Sequence, residues 1–230
     1  MHNIGINLGI ITARGESKRL KNKNIYPCAG MPLIYWTAKS ALLSKLDIVM
    51  LSTDNEKIAK TGQQLGLEVP FLRPKELAKD DTKTLPVIKN ALDYYLKKQI
   101  KINSITLLQP TSPLRKENHI DDSLNLFNQN KDCTVVSVSK LPSKFYSNKL
   151  YRIDSNGEAK NFEDNNSQQI VVRNGPAILI NSTKTILSGK LYSNKIFTYE
   201  MAFWESIDID TIEDLLTAEA LMKHYGYNKR

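Results

Sequence analysis

The feature that most constrains the fold is a regular alternation of short apolar runs with segments whose apolar residues recur every three or four positions. The short runs have the length and content of buried strands, and the periodic segments are typical of amphipathic helices. This alternation predicts an α/β fold with a mostly parallel sheet, flanking helices and right-handed crossovers. The predicted strands are 6–11, 48–51, 104–108, 133–138, 177–180 and 197–201, and the predicted helices are 32–42, 55–65, 84–95, 119–128 and 211–225.

The length of 230 residues predicts a single domain that spans residues 1–230. The pattern changes near Lys140, because residues 140–172 are polar, have few helical signals and carry several aromatic side chains in polar surroundings. The sequence D-S-N-G at 154–157 predicts a turn inside this segment. We expect the excursion at 140–172 to be too small to fold alone and to pack against a second subunit; the alternative is that it lies across the sheet.

Composition is typical of a soluble globular protein. Apolar residues make up 41% of the chain and charged residues 24%. No apolar run approaches the roughly 18 residues of a membrane-spanning helix, and the N-terminus lacks the features of a secretion signal. Cys28 and Cys133 are widely spaced and form no metal-ligand pattern. We therefore expect a cytoplasmic protein with reduced thiols and no membrane partner.

The net charge of +8 raises the question of nucleic-acid binding. The Lys and Arg residues are spread along the whole chain, and no RNP-like or helix-turn-helix pattern accompanies them. Part of the excess lies in the first loop, where an anionic small molecule would serve equally well. A basic nucleic-acid-binding protein is kept as the hypothesis from a different class, but we expect no nucleic-acid partner.

The loop after the first predicted strand is rich in cations. A glycine at its turn lets the backbone come close to a ligand, and N–H groups, hydroxyls and fixed cations together form a site for several phosphates. The loop follows the carboxyl end of a strand, where open α/β sheets bind ligands. It matches neither of the two commonest phosphate-binding motifs, and a solvated basic loop is the alternative. Its cations and its hydroxyl and amide side chains are Arg14, Ser17, Lys18, Arg19, Lys21, Asn22, Lys23 and Asn24.

The sequence S-I-D-I-D-T at 206–211 carries two acids in alternation. In an extended segment this spacing puts Asp208 and Asp210 on one side and the two isoleucines on the other. Two such carboxylates repel unless a cation lies between them, and Mg²⁺ takes one or two protein carboxylates together with water and substrate phosphates. The alternative is that Asp210 and Glu213 form a capping box for the last helix. That would leave Asp208 unexplained, so we predict that both acids bind Mg²⁺.

Other polar residues follow the ends of predicted strands. Two prolines stiffen the sequence Q-P-T-S-P-L-R at 109–115 and would hold Gln109 rigidly, with an amide that can both donate and accept. Asp54 is either the N-cap of the following helix or a ligand contact. Arg73 and Thr84 bracket a loop near the same edge and could read a base through hydrogen bonds.

Two cations in the second half of the chain are candidate partners for a carboxylate on a substrate. These are Lys144 and Arg173. A lone Lys or Arg is more commonly a solvated surface group, which is the alternative for both.

The chain resembles the CMP-sialic acid synthetases, also called acylneuraminate cytidylyltransferases. The matching motifs cover most of the chain in the expected order. The resemblance implies a Rossmann-like nucleotidyltransferase fold that acts as a homodimer, in which the excursion helps to form the dimer and to close the neighbouring site. The motifs are A-R-x-x-S-K-x-L-x-x-K-N at 13–24, S-T-D at 52–54, R-P at 73–74, L-A-K-D at 77–80, Q-P-T-S-P-L-R at 109–115, N-G at 174–175 and S-I-D-I-D-T at 206–211.

The resemblance also implies roles for residues by position. Arg73 and Thr84 would lie at the cytosine, Gln109 at the acylamino side of the sugar and Lys144 at the sugar. Arg173 stays a predicted substrate contact on its residue type alone. Asp208 and Asp210 would hold Mg²⁺, and together with Arg14 and Lys18 they are the predicted catalytic residues. The general base stays open between Asp208 and a metal-bound hydroxide. The residues that would hold the triphosphate and ribose of CTP are Arg14, Ser17, Lys18, Lys23 and Asn24, and Ala13 is a further predicted substrate contact.

The implied reaction is transfer of CMP from CTP to the anomeric hydroxyl of a nine-carbon acid sugar, with release of pyrophosphate and Mg²⁺ as cofactor. The deoxy-octulosonate (KDO) cytidylyltransferases share the fold and the reaction and are the alternative. The sequence departs from the family pattern at S-Q-Q, residues 167–169, where an arginine is common, and at Pro176, which follows the N-G pair. Both departures fall where the sugar should bind, so legionaminic acid and N-acetylneuraminic acid both stay open.

Overall fold

The computed structural model describes residues 5–130, 132–146, 149–153, 155, 157–161, 171–175 and 177–227. Within these residues the chain forms eleven strands and six α-helices. The strands are β1 (Ile6–Thr12), β2 (Pro27–Cys28), β3 (Met31–Pro32), β4 (Ile48–Ser52), β5 (Ile102–Leu108), β6 (Cys133–Lys140), β7 (Tyr151–Ile153), β8 (Ala159–Asn161), β9 (Val171–Arg173), β10 (Leu179–Ser182) and β11 (Lys195–Glu200). The helices are α1 (Leu33–Leu42), α2 (Glu56–Gln64), α3 (Thr84–Lys97), α4 (Glu117–Gln129), α5 (Thr183–Leu187) and α6 (Ile212–His224).

Seven strands form the central sheet, in the order β11-β6-β10-β5-β1-β4, and β9 pairs with the end of β6. The strand β1 is parallel to both β4 and β5, and β11 is parallel to β6. The strands β9 and β10 are antiparallel to their neighbours. The predicted α/β fold with a mostly parallel sheet is therefore confirmed, and the strand expected at 177–180 is the antiparallel β10.

Both faces of the sheet are buried under helices. Along β1, Leu8 and Ile10 pack into the core on the side of α3, whereas Ile11 belongs to the core on the side of α1, α2 and α4. A strand covered on both faces needs apolar residues in both directions, which is why β1 reads as a nearly continuous apolar run.

A third apolar cluster joins α6 to α1 and the first loop. Leu20 from the loop, Trp36 from α1 and Met222 from α6 are all buried in it. Ile209 is fully buried in the same cluster, and its N–H donates to the carbonyl of Thr111 at 2.8 Å. This packing brings the S-I-D-I-D-T segment beside the first loop, although the two are about 190 positions apart in sequence.

The capping of the last helix excludes the alternative interpretation of Asp210 as its N-cap. The N-cap is Thr211, whose hydroxyl accepts from the Asp214 N–H at 3.3 Å, while the Asp214 carboxylate accepts from the Thr211 N–H at 2.8 Å. The alternative of an Asp210–Glu213 box is therefore wrong by one residue, and Asp210 turns its side chain to cations of the first loop. At α3, Lys83 is the N-cap and Thr84 is the first helical residue, where the predicted helix also begins.

The excursion contains a short hairpin in which β7 pairs antiparallel with β8, from Tyr151–Asn161 to Ile153–Ala159. The turn predicted at 154–157 falls between these strands in the sequence, and two of its four residues, Asp154 and Asn156, lie outside the described residues. Several large apolar side chains here are exposed, among them Tyr151 at 63% and Ile153 at 72%. No helix in the described ranges is long and apolar enough to cross a membrane.

Candidate active site

The register of the parallel strands brings three strand ends together. Ile11 pairs with Leu51 of β4 and with Leu108 of β5, so the residues that follow β1, β4 and β5 emerge side by side at the carboxyl edge. An open cleft of about 520 Å³ lies at this edge. The predicted site residues that line it are Arg14, Ser17, Lys18, Lys23, Asn24, Arg73, Thr84, Gln109, Asp208 and Asp210.

The first loop is fixed by hydrogen bonds within the protein. The Gly15 N–H donates to the Asp54 carboxylate at 2.9 Å, and the Asn24 amide donates to the Arg14 carbonyl at 2.8 Å. Asp54 therefore holds the first loop through Gly15. It is not the N-cap of α2, which is Asn55. A Cβ on Gly15 would lie 2.9 Å from the Asn55 side chain, so the glycine allows the loop to pack closely on α2.

Two cations of the loop are bound by an acid that the sequence did not single out. Arg14 Nη1 lies 2.6 Å from Asp80 Oδ1, and Lys18 Nζ lies 2.5 Å from Asp80 Oδ2. The pKa of Asp80 is lowered, chiefly by the hydrogen bond from Lys18. Asp80 belongs to the L-A-K-D motif, but the motif by itself gives no reason to expect contact with a loop more than 60 residues away.

A second pair of cations binds Asp210. Lys23 Nζ donates to Asp210 Oδ1 at 2.9 Å and to the Ile209 carbonyl at 2.9 Å, and Arg19 Nη1 donates to Asp210 Oδ2 at 2.8 Å. Burial by itself would raise the pKa of Asp210, but the bonds from Lys23 and Arg19 lower it below its usual value. The first loop and the acidic segment are thus joined directly.

Asp208 has a different environment. Its Oδ1 is buried and has no hydrogen-bond partner within the described structure. Burial raises the pKa of this carboxyl, Thr111 and Lys23 oppose the rise, and the neighbouring Asp210 adds to it. The turn at Gly175 lies close to Asp208, since a Cβ on this glycine would lie 3.1 Å from Asp208 Oδ2. Its φ of +67° is in the left-handed region that favours glycine. The N-G pair is therefore part of the site's geometry as well as a turn.

Arg73, the arginine expected to contact the cytosine, is held rigidly by Ser52. Arg73 is 6% exposed, its Nε donates to the Ser52 hydroxyl at 3.0 Å, and its Nη2 donates to the Ser52 carbonyl. Burial lowers the pKa of Arg73 to about 10, although nearby Asp54 acts in the opposite direction. Thr84 lines the cleft from the first turn of α3.

Gln109 is positioned by a buried arginine that the sequence did not identify as functional. Arg115 Nη1 donates to the Ala177 carbonyl at 2.7 Å and to the Gln109 carbonyl at 3.4 Å, and Nη2 donates to the Thr37 hydroxyl at 2.7 Å. Arg115 is 2% exposed, and burial lowers its pKa to about 9. It ties the loop after β5 to α1 and to the start of β10.

Two predicted substrate contacts, Ala13 and Arg173, do not line this cleft. Ala13 is buried in the core and its N–H donates to the Ser52 carbonyl at 3.0 Å. Arg173 is exposed on β9, donates to the Tyr192 hydroxyl at 2.5 Å and is not among the residues that line the cleft. The side chain of Lys144 lies outside the described part of the chain, as do residues 167–169 and Pro176.

Asp208 and Asp210 form a pair and are not part of a larger cluster of metal-binding side chains in the described residues. No group of three or more His, Cys, Asp or Glu side chains with metal-binding geometry occurs among the residues that the structure describes. The residues that could hold a cation are Asp208, whose Oδ1 is unpartnered, and Asp210, whose oxygens face Lys23 and Arg19.

A mostly parallel sheet with fixed cations and carboxylates gathered at its carboxyl edge defines an α/β enzyme that handles nucleotides. The chain belongs to the cytidylyltransferase family, whose model matches residues 8–230. The predicted membership in this family and the prediction of a nucleotidyltransferase enzyme are confirmed.

Individual relatives agree with this assignment. A CMP-N,N′-diacetyllegionaminic acid synthase from Legionella pneumophila is 34% identical over 94% of this chain and 96% of its own length. An N-acylneuraminate cytidylyltransferase from Streptococcus agalactiae is 35% identical over 90% of this chain, which spans about half (51%) of that relative. The solved structure of a CMP-2-keto-3-deoxy-manno-octonic acid synthetase in complex with CTP has a TM-score of 0.71, covers 96% of this chain and 99% of its own, and is 15% identical, so it shows the fold alone.

Proposed function

We propose that the protein transfers CMP from CTP to the anomeric hydroxyl of a nine-carbon acid sugar of the legionaminate or N-acylneuraminate type. The hydroxyl oxygen attacks the α-phosphorus, its proton is released, and the bond to the β-phosphate breaks so that pyrophosphate departs. The observation that carries the proposal is the meeting of the first loop with Asp208 and Asp210 in one cleft of a family member. Lys23 and Arg19 contact Asp210 directly.

The choice of sugar rests on the relatives. The Legionella synthase matches this chain almost end to end and is named for a diacetyllegionaminic acid product. The streptococcal relative is named for N-acylneuraminate and extends well beyond this chain. The octonic acid synthetase supports a KDO-type substrate less, because its likeness at 15% identity is one of fold.

The residues of the cleft suit the chemistry of displacement at phosphorus. Arg14 and Lys18 already hold an anion in this structure, so they can bind the phosphates of CTP and the departing pyrophosphate. Catalysis would consist mainly of positioning and charge neutralisation. The fixed guanidinium of Arg73 and the first turn of α3 at Thr84 would bind the cytosine, and Gln109 would bind the sugar.

A magnesium ion fits the acidic side of the cleft. Asp208 offers a buried, unpartnered carboxylate oxygen, and Mg²⁺ needs only one or two protein carboxylates. Asp210 would have to release or share its contacts with Lys23 and Arg19 to act as the second ligand. When bound, the ion would neutralise phosphate charge and lower the pKa of the attacking hydroxyl.

The excursion supports the proposal of a homodimer. Exposed large apolar side chains are expensive in water, and a second copy of the chain would cover them. Such side chains occur in the excursion at Tyr146, Tyr151 and Ile153. We retain residues 1–230 as one domain, with 140–172 as its dimerisation excursion, and a cytoplasmic location, as parts of the proposal.

Pyrophosphate release is the test. The enzyme would be incubated with Mg²⁺, one of CTP, ATP, GTP or UTP, and one of N-acetylneuraminate, N,N′-diacetyllegionaminate or KDO. We expect release that depends on CTP and on one of the two nine-carbon sugars. Release with KDO alone would reassign the substrate, and no release with any sugar in the presence of CTP would contradict the proposed function.

A further inference from the structure

The cations expected to bind phosphate already have an anion between them. Asp80 presents one carboxylate oxygen to Arg14 at 2.6 Å and the other to Lys18 at 2.5 Å. Each oxygen therefore contacts one cation, as two oxygens of a phosphate group would. All three residues line the cleft, so the contact occupies part of the space that a nucleotide would enter.

The segment that carries Asp80 has few contacts of its own. It follows a short 3-10 turn at Lys75–Leu77 and precedes α3. The Thr82 N–H donates to the Lys79 carbonyl at 3.1 Å, and the Thr82 hydroxyl donates to the Glu76 carbonyl at 3.3 Å. The Asp80 side chain is 40% exposed and Lys18 is 79% exposed, so the ion pairs lie at the solvent side of the cleft. Exposed pairs of this kind can be exchanged at low cost.

We propose that Asp80 is a displaceable counter-anion that competes with polyphosphate for Arg14 and Lys18. This inference rests on the proposed function, in which these two cations bind the phosphates of CTP. In the resting enzyme Asp80 neutralises them. When CTP enters, its phosphates replace the carboxylate, and Asp80 moves into solvent.

In this role Asp80 would select for ligands with several phosphates and would favour release of pyrophosphate. The apparent affinity of a ligand equals its intrinsic affinity multiplied by the fraction of molecules in which its binding group is free, so Asp80 weakens the binding of every ligand that needs both cations. A polyphosphate carries several negative charges and can displace a single carboxylate. After transfer, pyrophosphate has lost its link to the nucleotide, and return of Asp80 to Arg14 and Lys18 favours its departure.

The test is calorimetric titration of inorganic pyrophosphate and of CTP into the full-length protein. The variant is Asp80→Asn, which keeps the size of the side chain and removes its charge. The matched control is Asp81→Asn, since Asp81 is exposed and forms no ion pair in the described part of the chain. Thermal unfolding of both variants checks that they fold as the wild type does.

We expect Asp80→Asn to bind pyrophosphate about three- to tenfold more tightly than the wild type, the range for one or two exposed ion pairs that no longer compete. Product inhibition by pyrophosphate should strengthen by a similar factor, and the gain should shrink at high salt. Asp81→Asn should change both values less than twofold. Unchanged or weaker binding in Asp80→Asn, or an equal gain in Asp81→Asn, would overturn the role of Asp80. Failure of the wild type to bind CTP would contradict the proposed function itself and this inference with it.

Discussion

Substitution of Arg115 by Met separates a structural role from a positioning role. The pKa of Arg115 falls from 12.5 to about 9 through burial, and at 1.36 kcal/mol per pKa unit this corresponds to about 5 kcal/mol of desolvation. Two short hydrogen bonds, to the Ala177 carbonyl and the Thr37 hydroxyl, oppose it. Bonds from a charged donor contribute about 1.5–3 kcal/mol each, or roughly 3–6 kcal/mol together. The two effects nearly cancel.

Arg115→Met should therefore change the free energy of unfolding by less than about 2 kcal/mol, as measured by urea denaturation. It should raise the KM for the sugar and lower kcat/KM by at least about tenfold, because the Gln109 carbonyl loses one of its donors and the loop after β5 loses its bond to the Ala177 carbonyl. The KM for CTP should change much less. Thr37→Val provides the contrast, because it keeps the buried charge of Arg115 but removes the Thr37 hydroxyl that accepts from it. This variant should lower the free energy of unfolding by about 2–3 kcal/mol.

Two results would refute this reasoning. One is a loss of more than about 4 kcal/mol of stability in Arg115→Met, because desolvation would then not offset the hydrogen bonds. The other is normal kinetics for the sugar in a stable Arg115→Met enzyme. If the account holds, the double variant with Thr37→Val should be no less stable than Thr37→Val alone.

Three further predictions concern other parts of the chain. Asp208→Ala should lower turnover in the pyrophosphate-release assay by orders of magnitude without lowering the melting temperature, and near-full activity with CTP and Mg²⁺ would show the metal assignment to be wrong. Gly175→Ala should lower turnover and cost roughly 1–2 kcal/mol of stability in urea, because it strains a left-handed residue and crowds Asp208; unchanged kinetics would contradict this. Burial lowers the pKa of His119 below 6.5 beside Glu205. The unfolded chain then binds a proton that the folded one resists, so the unfolding free energy should fall as the pH drops through about 6.5, and His119→Gln should reduce that slope.

The fold was largely predictable because burial on both sides of a sheet and on one side of a helix leaves distinct periods in sequence. The runs that became β1, β4, β5 and β6 needed no tertiary information. The five-residue helix Thr183–Leu187 was missed, since it is too short to show a period. The alternative capping box was one residue off, because T-x-x-D and D-x-x-E overlap there and only the contact of Asp210 with Lys23 distinguishes them.

The membership of the cleft was predictable for a topological reason, since the carboxyl ends of neighbouring parallel strands meet at one edge. The contacts that these residues make with one another could not be predicted from the sequence. The contact between Asp80 and Arg14 depends on how the loop before α3 folds back, and sequence spacing carries no sign of it. The role of Arg115 was hidden because its acceptors come from Thr37, Gln109 and Ala177, which lie on three separate segments.

Titration of CTP at a series of Mg²⁺ concentrations into the wild type and Asp208→Ala tests most directly whether both ends of the chain act on one nucleotide. We expect CTP affinity to rise with Mg²⁺ in the wild type and to be nearly independent of Mg²⁺ in Asp208→Ala. Lys18→Ala should weaken CTP binding at every Mg²⁺ concentration. The account would be contradicted if Asp208→Ala bound CTP with the affinity and the Mg²⁺ dependence of the wild type.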